Sequence, residues 1–461
     1  MHYQNIMLCL TAFISLSTCN RVYVHPFNLL TYTKSECEKI QSQDHSTEKM
    51  FFPTAIESKN NAEETDFKLQ TNQEASDLGT PETYLISLIS DFGFRAVAQW
   101  WKLNKMDNIL IPYTDLFRTM VSFYHGASGN TSSSLQAFLG FQDPSLIPNC
   151  TFKVNGLKVI PKLKKIDNFL FSRESNINTL RTVCIFVSNV PLSEKFVHGL
   201  IPTAENFYVK AVDFKDSPKA IKLINEFLDA KLPTNTKSGL TSIDGTTNFM
   251  YFSHVQFKGK VAKSFLIPNH QPFWTELNKR VMVPMISVSG IFQFIEDNTA
   301  NQLIIKISLT DNDFLLLVQP INGNTLENIE SSMERDTYVK WVNSLPKKYT
   351  YINLSLPKLK IQHSYNIQDL LESLNVSYLL GKNADFSGMS NTNIKVGKVI
   401  NMIDFELEET GVEPNGDSDV PQTKEEPVEL KLNTPFLFAI CEGTTKSLLL
   451  LGRVVHPTNV I

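Results

Sequence analysis

The sequence lacks an uninterrupted apolar run of about 18 residues, the length that indicates a membrane-spanning helix. Its 9 histidines show no metal-binding spacing such as H-E-x-x-H, and no nucleophile elbow of the form G-x-S-x-G is found. Basic residues are not in excess, since the formal net charge is -4, and this argues against nucleic acid as a partner. We therefore expect no metal, no cofactor, no insertion into a membrane and no enzymatic activity.

Cysteine is also scarce, with 6 in 461 residues, and two of these lie in an apolar leader. Residues 6–16 of the leader are too few to span a bilayer, and Ser17 and Cys19 are the small residues that precede a signal-peptidase cut. An N-terminal core helix is the alternative. We predict a signal peptide over 1–19 and a secreted, extracellular product that begins at Asn20.

Four cysteines remain after such a cut: Cys37, Cys150, Cys184 and Cys441. In a secreted protein four cysteines permit three complete pairings, and the sequence alone does not choose among them. Cys184 and Cys441 lie in apolar, strand-like runs, which favours buried free thiols at both positions.

Hydrophobic residues make up 42% of the sequence and include 31 phenylalanines, enough for one large mixed domain or two average ones. Residues 31–79 are polar and poorly periodic, which predicts a flexible arm, and order is expected from about Thr80 onwards. Residues 406–429 are acidic and rich in turn formers, which predicts an exposed loop between buried strands. The clearest strand patterns lie at 281–297, 301–320 and 435–457, and the clearest helix patterns at 217–232 and 366–374.

Six stretches carry patterns of a single family, at 108–141, 207–231, 252–265, 281–294, 356–390 and 435–457. In content and order they resemble the serpins, over roughly residues 84–457. The resemblance implies an α+β serpin fold with three β-sheets, about nine helices and an exposed reactive-centre loop. The predicted organisation is a signal peptide at 1–19, a peptide segment at 20–29, a flexible arm at 30–79 and a serpin domain at 80–461.

The hinge of the reactive-centre loop departs from the inhibitory pattern. An inhibitory serpin inserts this loop into a sheet as a new strand, which requires small residues that pair through the backbone. Gly411 and Val412 fit, but Glu413 would bring a charge into the sheet and Pro414 would remove a donor from the ladder. This predicts a non-inhibitory serpin. The alternatives are an inhibitor of an extracellular serine protease and a carrier of a small hydrophobic hormone.

The segment after the leader reads N-R-V-Y-V-H-P-F-N-L. Residues 20–29 resemble the peptide hormone angiotensin I, and residues 20–27 resemble angiotensin II. The commoner form of the peptide has Asp, Ile and His where this sequence has Asn20, Val24 and Asn28. These departures are mild, so the resemblance implies a hormone precursor that regulates blood pressure and salt balance.

The implied partners of such a precursor are proteases and receptors. Renin would cut between Leu29 and Leu30, angiotensin-converting enzyme would cut between Phe27 and Asn28, and angiotensin receptors would bind the product. The implied octapeptide hormone consists of Asn20, Arg21, Val22, Tyr23, Val24, His25, Pro26 and Phe27.

The residue types around the implied renin site suit an aspartic protease, which holds an extended substrate in apolar pockets. Leu29 and Leu30 place two apolar side chains across one peptide bond. Val22, Val24 and Phe27 favour an extended strand before that bond. The sequence therefore predicts an extended substrate segment.

Within the hormone segment, Pro26 biases the preceding His25 towards extended geometry. Arg21, Tyr23 and His25 supply a permanent cation, a phenol and an imidazole. These three side chains are candidate anchors for a receptor.

The serpin resemblance also implies a disulfide between Cys37 and Cys150, which would join the arm to the body near the cleavage site. Lysines at 153, 158, 162, 164 and 165 form a basic run, for which a solvated helix face is favoured over a heparin site. Four asparagines lie in N-x-S/T sequences, which are acceptors for N-glycosylation: Asn149, Asn375, Asn130 and Asn353. We expect two of these, Asn130 at a helix-opening turn and Asn353 in a strand, to carry no glycan.

Overall fold

The computed structural model of the protein describes residues 25–42, 48–56, 67–68, 78–103, 107–141, 149–170, 177–233, 236–276, 278–309, 313–411 and 426–457. The predicted signal peptide, hormone residues 20–24 and the hinge residues Val412, Glu413 and Pro414 lie outside these ranges. No helix within them combines the length and the apolar character needed to cross a membrane.

Ten α-helices lie in the described ranges, where the family resemblance implies about nine. The additional helix is the first, which lies in the predicted flexible arm. They are α1 (Lys34–Ser42), α2 (Thr80–Leu103), α3 (Tyr113–Gly126), α4 (Gly129–Phe138), α5 (Gly156–Leu170), α6 (Glu194–Leu200), α7 (Ser217–Lys231), α8 (Leu326–Ser331), α9 (Arg335–Ser344) and α10 (Ile367–Ser373).

The strands of the described ranges, numbered along the chain, include the predicted closing hairpin. They are β1 (Met50–Phe51), β2 (Thr54–Ala55), β3 (Phe67–Lys68), β4 (Ile109–Pro112), β5 (Ile177–Val187), β6 (Leu192–Ser193), β7 (Asn206–Ala211), β8 (Phe249–Val261), β9 (Ser264–Leu266), β10 (Gln271–Glu276), β11 (Lys279–Val283), β12 (Met285–Asp297), β13 (Gln302–Ser308), β14 (Asp313–Pro320), β15 (Thr350–Pro357), β16 (Lys360–Asn366), β17 (Val396–Glu409), β18 (Val428–Lys431), β19 (Phe436–Glu442) and β20 (Leu448–Val454).

One sheet contains seven strands in the order β16-β17-β8-β5-β7-β2, with β3 also paired to β7. Its central strands β8 and β17 are parallel and stay paired up to Val261 and Glu409. The exposed loop predicted from residue 406 therefore begins later, because residues 406–409 continue the ladder with β8.

A second assembly of nine strands has the order β18-β15-β12-β13-β14-β19-β20-β4, with β9 also paired to β12. Strand β12 divides it into two sheets, since residues 285–292 pair with β15 and residues 293–297 pair with β13. With the seven-stranded sheet, this gives three main sheets and confirms the predicted mixed α+β fold.

Helices cover the seven-stranded sheet on both faces. Helix α3 is buried along nearly its whole length and contacts both β8 and β20, so it fills the core between the two large sheets. On the opposite face, α7 is capped by Asp216 and buries Ala220, Ile224, Phe227 and Leu228 against a second apolar cluster. These positions recur at helical spacing, which explains why this predicted helix forms.

The described parts of the predicted flexible arm carry regular structure. Met50 and Phe51 of β1 pair with Ser193 and Leu192 of β6, as expected for a local docking point. Strand β2 extends the edge of the seven-stranded sheet beside β7. The arm is thus attached to the body at several points, although its composition favours disorder.

Candidate functional site

The segment that carries the predicted cleavage bond is docked on the protein body. Pro26–Leu29 form one turn of 3-10 helix, with Pro26 and Phe27 buried. The side chain of His25 accepts a hydrogen bond from the Phe27 amide at 3.2 Å and meets the ring of Tyr84 edge-on. The prediction of extended geometry holds for His25, with φ -58° and ψ 134°, but is wrong for Phe27, because burial of its ring favours a turn.

The two residues of the predicted renin bond lie in opposite environments. The Leu29 side chain is 44% exposed, whereas Leu30 is 0% exposed and belongs to the main core. The Leu30 amide, which is the nitrogen of that bond, donates to the Phe27 carbonyl at 2.9 Å. The Leu30 carbonyl accepts from the Asn155 amide at 2.8 Å. A protease that binds an extended strand cannot engage this bond until the segment leaves the body.

Residues 153–158, which we call the docking segment, hold the chain just after this bond. Thr31 forms an antiparallel bridge with Val154, and the Tyr32 amide donates to the Lys153 carbonyl at 3.0 Å. On its other side the docking segment is fixed by the core, because Gln136 accepts from the Val154 amide at 3.0 Å. Val154 is therefore held by the arm on one side and by the core on the other.

Lys158 adds a charged contact to the docked arm. Its ammonium lies 2.8 Å from the Thr31 carbonyl and 2.8 Å from a carboxylate oxygen of Glu36. Glu36 also accepts from the Thr33 amide at 2.6 Å, and its own amide donates to the Thr33 hydroxyl at 3.3 Å. This reciprocal pattern is a capping box that starts α1. The hydrogen bond from Lys158, followed by that from Thr33, lowers the pKa of Glu36 to about 2.

A disulfide closes the site. Cys37 of α1 and Cys150 are bonded, with 5.8 Å between their Cα atoms, as the family resemblance implied. Cys184 and Cys441 are buried free thiols, which confirms the prediction from their apolar runs. Burial raises the pKa of the Cys441 thiol to about 12, so this thiol is unreactive. The disulfide limits how far the arm can move when the docked segment is released.

Comparison with known proteins decides the family. The model of the family described as Serpin (serine protease inhibitor) matches residues 87–457. Proteins named angiotensinogen from Bos taurus and Homo sapiens are each 30% identical to this chain, over 98% of it and 97% of each relative. The chain belongs to the serpin family, among the angiotensinogens. A solved thyroxine-binding globulin in complex with thyroxine, 21% identical with a TM-score of 0.68, covers 82% of this chain and 100% of that structure and shows the same fold.

The accessibility of the four predicted glycosylation acceptors differs. Asn149, Asn375 and Asn130 are exposed. Asn353 is half-buried, and its side-chain amide donates to Glu429 at 2.7 Å and accepts from Ser289 at 2.9 Å. Glycan occupancy at all four positions stays a prediction.

Four of the five lysines of the basic run have acidic partners. Lys158 pairs with Glu36, Lys162 and Lys165 pair with Glu82, and Lys164 pairs with Glu205. Lys164 is 9% exposed, so a fully solvated helix face does not describe this run. These pairs also leave little free positive charge for a polyanion.

Strands β8 and β17 are the parallel pair at the centre of the seven-stranded sheet. Side chains connect these two strands: His254 Nε2 lies 3.0 Å from Asp404 Oδ2, and Lys258 Nζ lies 3.9 Å from Glu406. Asp404 also accepts from Thr236, after α7. Gly411, the described hinge residue, has φ +70° and donates its amide to Ser264.

Proposed function

We propose that this protein is a secreted hormone precursor that renin cuts between Leu29 and Leu30. The decapeptide 20–29 is released and then trimmed by angiotensin-converting enzyme between Phe27 and Asn28, and the octapeptide acts on angiotensin receptors to regulate blood pressure and salt balance. The observation that carries the proposal is the position of residues 25–30. They lie at the end of a tethered arm, with Leu29 exposed, in a chain of the angiotensinogen family. The protein body has a supporting role and no catalytic one.

The docked geometry makes the body a regulator of cleavage. An extended substrate requires that the turn at Pro26–Leu29 unwinds and that Phe27 and Leu30 leave the core. Exposing each of these side chains costs about 1.5–3 kcal/mol. Cleavage of the whole protein should therefore be slower than cleavage of the same sequence as a free peptide.

The first prediction tests the bond. Incubation of the protein with renin from a matched source should release residues 20–29 as the first product, which mass spectrometry identifies. A synthetic peptide of residues 20–33 should be cut at the same bond and, because it has no body to leave, at least about tenfold faster. Release of a different first peptide would contradict the assignment of Leu29–Leu30.

We also propose that the serpin body does not inhibit proteases by loop insertion. Glu413 and Pro414 are unsuited to a central strand. An inserted strand would also separate β8 and β17 from about 4.8 Å to about twice that distance, which breaks the contacts of Asp404 with His254 and of Glu406 with Lys258.

The second prediction follows from this. Proteolytic cutting of the loop between Gly411 and Val428 should leave the melting temperature nearly unchanged, because no strand is added to the sheet. Incubation with a serine protease should give no complex that survives boiling in detergent, with an inhibitory serpin as the positive control. A strongly stabilised cut form or such a complex would refute the non-inhibitory proposal.

A further inference from the structure

We propose that Lys158 is a positioning residue that sets how often the Leu29–Leu30 bond becomes available to the protease. The inference rests on the proposed cleavage at this bond and adds a specific control element to it. Its ammonium binds Thr31 and Glu36, the next points after the bond at which the arm is held, and it acts through them.

Lys158 holds the chain directly after the Leu29–Leu30 bond. Its ammonium donates to the carbonyl of Thr31, whose hydroxyl donates at 3.2 Å to the Asn28 carbonyl. Thr31 therefore connects the 3-10 turn before the bond, Pro26–Leu29, with the bridge to Val154 after it. Lys158 lies in the first turn of α5. This helix begins directly after Asn155, whose backbone amide holds the Leu30 carbonyl.

The same ammonium joins two helices by charge. Its second partner, Glu36, lies in the first turn of α1 and completes the capping box with Thr33. Lys158 thus attaches the start of α1 to the start of α5. Hydrogen bonds to charged groups are stronger than neutral ones, although the partial exposure of both side chains, 27% and 36%, reduces the gain.

Other contacts keep the arm attached when Lys158 is removed. The Cys37–Cys150 disulfide and the bond from Tyr32 to Lys153 do not involve its side chain. Loss of the ammonium should therefore leave the fold intact and increase the fraction of molecules in which residues 28–31 are released. If the protease binds only that fraction, the apparent KM falls in proportion while kcat stays the same.

Lys162 provides a matched control on the same helix. It lies four residues later, and its side chain is 28% exposed, against 27% for Lys158. It pairs at 3.1 Å with Glu82, in the first turn of α2, whereas the partners of Lys158 are Thr31 and Glu36 of the arm. Lys158→Met and Lys162→Met remove the same charge and keep most of the aliphatic stem, whereas Lys158→Arg restores a cation.

The experiment compares renin kinetics and hydrogen exchange for the full-length wild type and these three variants. Loss of one charged hydrogen bond should lower the apparent KM of Lys158→Met roughly 3- to 30-fold with unchanged kcat. Amide exchange at Leu30 and Tyr32 should accelerate by a similar factor. Lys162→Met should behave as the wild type, and Lys158→Arg should recover most of the wild-type KM.

Two results would overturn the inference: equal KM and exchange rates for Lys158→Met and wild type, or equal changes in Lys158→Met and Lys162→Met. The free peptide of residues 20–33 separates this failure from failure of the proposed function. If renin does not cut that peptide between Leu29 and Leu30, the proposed function fails, while hydrogen exchange at Leu30 still decides the role of Lys158.

Discussion

Replacing Asp167 with alanine should lower the free energy of unfolding by about 3–5 kcal/mol, because two buried arginines would lose a shared counter-charge. Arg118 and Arg181 both donate to the same oxygen of Asp167, the latter at 2.9 Å. The side chains are 1%, 6% and 7% exposed, so water does not replace the lost partner. Burial opposes ionisation of Asp167, but the two cations outweigh it and lower the pKa of this carboxyl.

The ionic cluster of Arg118, Asp167 and Arg181 connects the helices to the central strands. Arg181 of β5 also donates to Asp115 of α3 at 2.9 Å. Asp115 in turn accepts from Asn401 of β17 at 3.1 Å. The effect of removing Asp167 should therefore extend from α5 to the seven-stranded sheet.

An exposed ion pair supplies the control for this prediction. Asp91 and Arg335 are also 2.9 Å apart, but their side chains are 45% and 51% exposed. Asp91→Ala should therefore change the unfolding free energy by no more than about 1 kcal/mol. Chemical denaturation monitored by circular dichroism measures both variants. Similar losses in the two would show that burial does not decide the value of these pairs.

The serpin body was well predicted from the sequence because its elements are long and strongly patterned. Helix α7 has apolar residues at helical spacing, an Asp cap and a proline in its first turn. The hairpin of β19 and β20 is buried at every position, as its continuous apolar run indicated. Local pattern and tertiary burial agree in these elements, so either is enough to identify them.

The docked site was poorly predicted because its contacts join residues that are distant in sequence. Leu30 is held by Asn155 and Thr31 by Lys158, and no local pattern reports such pairs. Burial of the Phe27 and Leu30 side chains in the core stabilises the docked turn more than their local preference stabilises an extended strand. One signal was present and was not used: Thr33 and Glu36 have the T-x-x-E spacing of a capping box, which marks the start of α1.

Acidification from pH 6.5 to 4 should destabilise the protein through His125. Its ring stacks on Phe196 at 5.9 Å and fits against Gly156 and Gly199, where a Cβ at Gly199 would lie 2.4 Å from Nε2. Burial lowers the pKa of His125 to about 4, and its Nε2 has no hydrogen-bond partner within the described chain. The folded protein therefore keeps this imidazole neutral at a pH where the unfolded chain binds a proton.

The sign and size of the effect follow from the two pKa values. The stability is complete above about pH 6.5, the pKa of an unfolded histidine, and falls as the pH approaches 4. The full shift corresponds to about 3 kcal/mol, and partial exposure of the ring reduces this to about 2 kcal/mol. In His125→Asn the free energy of unfolding should depend less on pH between 6.5 and 4. The same change at the exposed His270 should give the pH dependence of the wild type.

This loss of stability should act on the hormone segment, because His125 packs against Gly156, the neighbour of Asn155. Charging the imidazole disfavours that packing and weakens the support for the Leu30 carbonyl. The cleavage rate of the whole protein, divided by that of the free peptide at each pH, removes the pH dependence of renin itself. This ratio should rise as the pH falls from about 6.5 towards 4 in the wild type and stay flatter in His125→Asn. A ratio that rises equally in both proteins would mean that another group loosens the arm. The contacts of Glu36 lower its pKa from the ordinary value near 4.5 to about 2, so this carboxylate adds to the release only below about pH 4.5.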